Sequence, residues 1–261
     1  MTHQPGPVLT RRLSPWWLAV KTVLWPEFCR TCGVNLPTEE NGYFCPACWE
    51  RSPAIVRPYC TCCGQPHAEM RGLGLRSNYP CATCRDTPPK HISRIYGAAR
   101  YESAVADAVK LLKFQGKTRL VAPLVERMAD FAAAELPCEE YQLLVPVPLH
   151  RVRQRSRGFN QAALLAEGLL PAFPGAALNT QLQRIRPTRT QSRLKPEERR
   201  KNLRGAFAVL GEELHGANVL LVDDVVTTAG TVSECARVLL MAGAGRVDVF
   251  AAALSARKII D

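Results

Sequence analysis

No stretch of this sequence approaches the ~20 uninterrupted apolar residues of a membrane-spanning helix, so no helical membrane span is expected. A secretory signal is also missing. Arg11 and Arg12 precede an apolar stretch from Trp16 to Val20, but Lys21 interrupts it and no small-residue cleavage site follows. No long repeat recurs. Acidic residues are scarce beside basic ones, 23 against 34, which leaves a net charge of +11. That imbalance suits an anionic partner: nucleic acid, a phosphorylated metabolite or a membrane surface. A basic, solvated surface would give the same count. The other proportions are ordinary, with 47% hydrophobic and 22% charged residues. A chain of 261 residues buries a sizeable core without staples.

Cysteine, by contrast, is abundant and unevenly placed. Nine of the 11 cysteines lie between Cys29 and Cys84, and eight of those form four C-x-x-C pairs. Twelve residues separate Cys29-x-x-Cys32 from Cys45-x-x-Cys48, and seventeen separate Cys60-x-x-Cys63 from Cys81-x-x-Cys84. Such spacing gives one Zn²⁺ four thiolates in tetrahedral array, with no position open for chemistry. Two structural zinc ions are therefore expected in a reducing, cytoplasmic setting. Gly33 and Gly64 follow second cysteines, where a knuckle turns tightly. A cross-braced arrangement mixing the two sets stays open, and Cys62 and His67 are spare ligands. Cys138 and Cys235 read as buried packing.

Three segments follow from the pattern: residues 1–28, 29–90 and 91–261. The first carries Trp16, Trp17 and Trp25 and reads as an amphipathic helix, packed on its own domain or docked on a membrane surface. The second reads as metal-held loops. In the third, strands over Ile92–Arg100, Leu143–Val147, Val219–Val222 and Val247–Ala253 alternate with helices over Tyr101–Phe114, Leu120–Phe131, Phe159–Leu170 and Thr231–Met241. That alternation predicts an α/β fold with a mostly parallel, doubly wound sheet.

The strongest chemical signal is the run from Val219 to Thr231. Four apolar residues fit a central strand, and Asp223 and Asp224 then stand at its end, where ligands bind in open α/β sheets. Thr227, Thr228, Ala229, Gly230 and Thr231 follow, leading into a helix whose N-terminal N–H groups suit an anion. Gly230 would permit the tight turn. Carboxylates beside a phosphate cradle suit a sugar phosphate, since they accept from ribose hydroxyls and favour positive charge at the anomeric carbon. A cap alone explains one of these residues, not the run.

Upstream, Leu143–His150 leads into Arg151, Arg153, Arg155 and Arg157, whose planar forks pair with phosphate oxygens. Residues 184–204 are also basic, with Arg184, Arg186, Arg189, Arg193, Lys195, Arg199, Arg200, Lys201 and Arg204 against Glu197 and Glu198. That segment reads as a solvated loop or as a strip contacting nucleic acid.

The run around the acid pair resembles the binding signature of type I phosphoribosyltransferases. The resemblance implies phosphoribosyl pyrophosphate as ligand, with Mg²⁺ carried on substrate oxygens and water. It implies Asp223 and Asp224 as catalytic, residues 227–231 at the 5′-phosphate, and Pro148, Leu149 and Arg157 at the pyrophosphate. Residues 184–204 resemble the loop that closes over such a site. Thr227 stands where enzymes of 6-oxopurines carry an aspartate, which argues against purine salvage. The chain ends soon after Ala253, so a C-terminal hood over the acceptor is not expected.

Taken with the paired cysteines, Val145–Leu149, Arg157–Gln161, Thr188 and Gln191 ahead of Arg199–Leu203, and Leu221–Asp224, the chain resembles the ComF family. That family is linked to natural competence and DNA uptake. The resemblance implies a cytoplasmic protein that handles single-stranded DNA, with a helicase and an uptake channel as partners. Two functions stay open: a transferase with an unknown acceptor, and a non-catalytic module using the same pocket for DNA or nucleotides.

Overall fold

The structure is a computed structural model that describes residues 27–36, 42–67, 78–187 and 203–256. The tryptophan-rich segment before residue 27 lies outside them, as do Thr188, Arg189, Gln191, Arg193, Lys195, Arg199, Arg200 and Lys201. No helix among the described residues is long and apolar enough to cross a membrane.

The cysteine-rich part carries two short helices, α1 (Pro46–Glu50) and α2 (Ala82–Asp86), where the sequence suggested loops alone. Each starts directly after a ligand-type cysteine, Cys45 or Cys81. Seven strands follow: β1 (Ile95–Arg100), β2 (Leu143–Pro146), β3 (Ala177–Leu178), β4 (Leu182–Arg184), β5 (Phe207–Val209), β6 (Asn218–Val226) and β7 (Arg246–Leu254). The intervening helices are α3 (Ser103–Gln115), α4 (Val121–Glu135), α5 (Arg151–Arg157), α6 (Gln161–Leu169) and α7 (Gly230–Met241).

Five strands form one parallel sheet in the order β1-β7-β6-β2-β3, and β4 and β5 form a separate antiparallel hairpin. The α/β class and mostly parallel sheet are thus as expected. Parallel strands under helices read as continuous apolar runs, and Val219 to Val222 are fully buried. Helix α3 ends at Gly116, whose φ of 65° closes the last turn in the left-handed region.

The sheet order places a topological switch between β2 and β6. The chain leaves β2 outward to β3, but leaves β6 toward β7 on the other side. The loops after β2 and β6 therefore diverge, and their strands' C-terminal ends flank a crevice, the usual ligand position in such sheets.

Two elements differ from the sequence reading. Strand β6 does not stop at Val222: Asp223, Val225 and Val226 stay paired with Ala251, Ala253 and Leu254 of the nine-residue β7, and this long partner carries β6 past the acids. Residues 151–157, for which the sequence pattern names no element, form helix α5, and His150 Nδ1 accepts the Val152 N–H at 3.3 Å at its N-cap.

The cysteines assemble as two sequential sets, Cys29/Cys32/Cys45/Cys48 and Cys60/Cys63/Cys81/Cys84. Within each set the sulfurs lie within 4.8 Å of one another, so cross-bracing is not what the fold adopts. Cys32 and Cys45 Sγ are 3.7 Å apart and Cys63 and Cys81 Sγ 4.0 Å apart. Tetrahedral zinc with bonds of ~2.3 Å requires about 3.8 Å. Without a cation the thiols conflict. The Cys32 sulfur, with burial, pushes Cys48 up to about 12. Burial alone would raise Cys29, yet N–H donation led by Cys45 brings it down to about 6. A divalent ion removes that conflict, so the residues fit structural Zn²⁺. Cys62 and His67 belong to neither set. The Cys62 carbonyl accepts the Ile95 N–H at 3.0 Å, and the His67 ring stacks on Tyr79 and bonds its carbonyl at 2.9 Å.

This part docks on the β1 edge of the sheet, covering polar groups that an exposed edge would present. The Ile55 N–H donates to the Ala98 carbonyl, Arg100 N–H to the Pro53 carbonyl, and Gln65 Nε2 to the Ser255 carbonyl. Arg127 of α4 donates to the carbonyls of Trp49 and Ser52. Phe44, fully buried, packs on Ala104, Ala108 and Leu111 of α3. The adjacent stripe of α3, about 100° round the helix, presents Val105, Val109 and Leu112 to the main core.

Protein purified without chelator should contain about two zinc ions per chain, as its two four-thiolate sets imply; elemental analysis finding none would overturn the assignment. Gly64 has φ +69°, and a Cβ there would sit 2.5 Å from the Ile95 carbonyl oxygen, whereas one at Gly33, φ +73°, would meet nothing. Gly33→Ala should cost about 1 kcal/mol of backbone strain. Gly64→Ala should cost at least ~1 kcal/mol more, since backbone must shift, and chemical denaturation of the two variants measures the difference.

Candidate phosphate and sugar site

Successive side chains on a strand point to opposite faces, so the extension of β6 separates the two acids. Asp224 is 2% exposed, and its Oδ2 meets Lys113 Nζ from the last turn of α3 at 2.9 Å. Asp223 is half-buried, faces the crevice and accepts the Asp224 N–H on Oδ1 at 2.8 Å. The two acids expected to stand together at a strand end are therefore unlike: one is part of the core and paired, the other lines the site.

Their electrostatics differ accordingly. Burial, and then the Asp224 carboxylate, pushes Asp223 well above the usual carboxylate range, with Lys113 opposing. Burial would lower Lys113, yet Asp224 and then Asp223 hold it above the ordinary lysine value. Lys113 was not singled out from the sequence. Its signal there was a cation in the final turn of the helix, next to Leu112 on the apolar stripe.

After Val226 the chain turns through Thr227, Thr228 and Ala229 into α7, and residues 227–231 line a small concavity with Asp223. Thr227 and Thr228 are exposed, and no side chain caps the helix N-terminus. Its first N–H groups and dipole suit an anion. The strained residue of this turn is Ala229, with φ 57° and ψ 1°, not Gly230. Gly230 is already helical, and a Cβ on it would make only ordinary contacts with Leu203 and Thr228. The conformational demand thus falls one residue earlier than the sequence suggested, on an alanine that bears it at a cost of about 1 kcal/mol.

The loop after β2, residues 147–150, begins beside β6, with the Val147 N–H donating to the Val222 carbonyl at 2.9 Å. Asn160 fixes it from behind: Nδ2 donates to the Val147 carbonyl, and Oδ1 accepts the Ala162 N–H as N-cap of α6. Pro148 and Leu149 are half-buried in that loop. Arg157 ends α5, donates to Gln161 and is half-buried; burial lowers its pKa, and Asp224 opposes the shift. Arg151, Arg153 and Arg155 are exposed.

The hairpin β4–β5 carries the two ends of the basic segment. Arg184 lies over the Phe207 ring, and Arg186 donates to the Arg204 carbonyl at 2.7 Å. The Gly205 N–H donates to Glu234 of α7 at 3.0 Å. The base of the segment is thereby anchored beside the helix whose N-terminus opens onto the site.

Opposite stability effects should follow from the two acids. Lys113→Met leaves Asp224 buried without its partner, and should cost about 3–5 kcal/mol; Asp224→Asn in the same chain should recover much of it. For Asp223 the native state holds its proton to higher pH than the unfolded chain. Ionisation therefore removes stability as pH rises from the ordinary carboxylate pKa through the raised one. Asp223→Asn should melt higher than wild type at pH 7, with the gain shrinking toward pH 4. Thermal melts across that range check the sign.

The comparisons agree with this geometry. The double zinc ribbon domain family matches residues 20–86. DNA utilization protein YhgH of Salmonella typhimurium is 32% identical over 229 residues, covering 86% of this chain and 96% of that protein. Competence protein F of Haemophilus influenzae is 30% identical, over 85% of this chain and 94% of its own length. A purine phosphoribosyltransferase from Pyrococcus horikoshii Ot3 covers 52% of this chain and 82% of its own at 12% identity and TM-score 0.31, too slight to carry weight. With relatives matched at nearly full length, and both cysteine sets assembled ahead of the acidic strand, the chain belongs to the competence protein F (ComF) family and joins a double zinc ribbon to an α/β domain built on a parallel sheet.

Proposed function

We propose that the crevice at the β2–β6 switch binds phosphoribosyl pyrophosphate with Mg²⁺, and that the protein handles single-stranded DNA during natural competence and uptake. The observation that carries the ligand is the passage of Asp223 and Asp224, on the central strand, directly into the uncapped N-terminus of α7. Residues 227–231 take the 5′-phosphate through N–H and hydroxyl donors. Pro148, Leu149 and Arg157 take the pyrophosphate, and Asp223 accepts from the ribose hydroxyls. Mg²⁺ arrives on the substrate and neutralises pyrophosphate charge. The exposed Arg151, Arg153 and Arg155 draw the polyanion in. The names of the relatives, a competence protein and a DNA utilization protein, support the biological setting. A helicase and an uptake channel are the partners this setting calls for.

A non-catalytic binding module is a second reading, favoured by one feature. Asp224 is already bonded to Lys113, which leaves Asp223 as the carboxylate lining the crevice. Pyrophosphate release with candidate acceptors separates the two.

Calorimetry should show binding of Mg²⁺–phosphoribosyl pyrophosphate to wild type and none to Asp223→Asn/Asp224→Asn. Because Asp224 belongs to a buried pair, Asp223→Asn alone is the cleaner variant; it should retain a cooperative melt and lose at least about tenfold in affinity, the equivalent of 1.4 kcal/mol. Equal affinity in wild type and both variants would refute the assignment.

A further inference from the structure

A cleft of about 550 Å³ lies between the first cysteine module and the turn after α3. Its lining brings together Arg30, Lys117 and Arg119, two aromatic rings, Phe28 and Tyr43, and a single acid, Glu27. Phe28 is 52% exposed. Lys117 Nζ stands 5.8 Å from the centre of the Tyr43 ring across the cleft, and within the cysteine module the Arg30 N–H donates to the Tyr43 carbonyl. Lys117 stands four residues beyond Lys113, just past the Gly116 cap that ends α3. Phe114, next to Lys113 in the last turn of α3, is the most exposed large apolar side chain described at 77%, with the Arg157 guanidinium 6.0 Å over its ring.

We infer that this cleft, extended past Phe114 to the crevice, is a track for single-stranded nucleic acid. Three cations against one acid attract a polyanion. Rings interleaved with those cations match the alternation of bases and phosphates along a single strand, where every base offers a face for stacking. A duplex hides those faces. A small phosphorylated ligand needs the cations but not two separated exposed rings. The cysteine module thus does more than cover the sheet edge: it supplies one wall of the track, and Lys117 of the cleft follows directly on the Gly116 cap of α3, whose last turn carries Lys113 of the crevice. The inference rests on the proposed crevice for the destination of the strand, not for the cleft's own affinity.

The test is fluorescence anisotropy of a labelled oligothymidylate with the full, zinc-loaded chain. Phe28→Ala and Phe114→Ala, both at exposed positions, should each weaken binding about fivefold or more while leaving its salt dependence unchanged. Lys117→Ala with Arg119→Ala should lower the log–log salt slope by about 1.4, from ~0.7 per lost contact. Calorimetry should find phosphoribosyl pyrophosphate affinity unaltered in Phe28→Ala and in the lysine–arginine pair variant. Oligothymidylate curves identical to wild type in all these variants would overturn the track, even where Asp223→Asn abolishes phosphoribosyl pyrophosphate binding. The converse result, normal losses in the cleft variants but no phosphoribosyl pyrophosphate binding to wild type, would sink the crevice reading and uphold the cleft. A duplex that competes as well as the single strand would also overturn the inference.

Discussion

A carboxylate with 2% of its surface exposed must have a cationic partner, and in this chain Lys113 provides it for Asp224. Much of the architecture serves to hold that lysine in place. Helix α3 packs on both the main core and the first cysteine module through two neighbouring stripes, Val105, Val109 and Leu112 in the main core and Ala104, Ala108 and Leu111 with Phe44. Phe44 immediately precedes Cys45. The physical chain thus runs from a metal-type thiolate through a buried ring and a helix to the acid of the central strand.

The same strand supports a strained surface. Asp223 is held partly out of water beside a second carboxylate, and Ala229 adopts a left-handed conformation that favours glycine. Both cost stability, and both sit where the switch between β2 and β6 opens the sheet to a ligand. Sites that bind anions and cationic centres tolerate such features because the ligand supplies what the free protein lacks. Burial of β6 and β7 on all sides, with Val249 to Ala251 at zero exposure, provides the rigid support that makes this affordable.

Three groups of exposed or cleft-lining cations stand out among those of the described surface. Arg151, Arg153 and Arg155 stand on α5 beside the crevice, Arg186 and Arg204 at the base of the hairpin, and Arg30, Lys117 and Arg119 in the cleft. Arg157 of α5 shares the field of Asp224, the hairpin is bonded to α7 through Gly205 and Glu234, and the cleft cations Lys117 and Arg119 follow the helix that carries Lys113. Single-sign fields of this kind focus a polyanion toward one region rather than onto the whole protein.

The sequence by itself determined the local chemistry: which cysteines pair, where the central strand runs, and which run of acids, hydroxyls and glycine follows it. These are legible because spacing and periodicity are local properties. The parallel sheet was legible as well, from strands alternating with helices. Tertiary structure alone decided the rest. Whether four thiolates came from one sequential set or two crossed ones depended on how the knuckles fold back. The length of β6 depended on its partner β7, since a ladder continues while a neighbour offers hydrogen bonds, and no residue of β6 announces that. Lys113 is more than a hundred residues from Asp224 in the chain, and Phe114 becomes relevant only because α5 brings Arg157 over it. Pairing of a buried charge is a requirement that the sequence states, but which side chain meets it is settled only when distant helices pack.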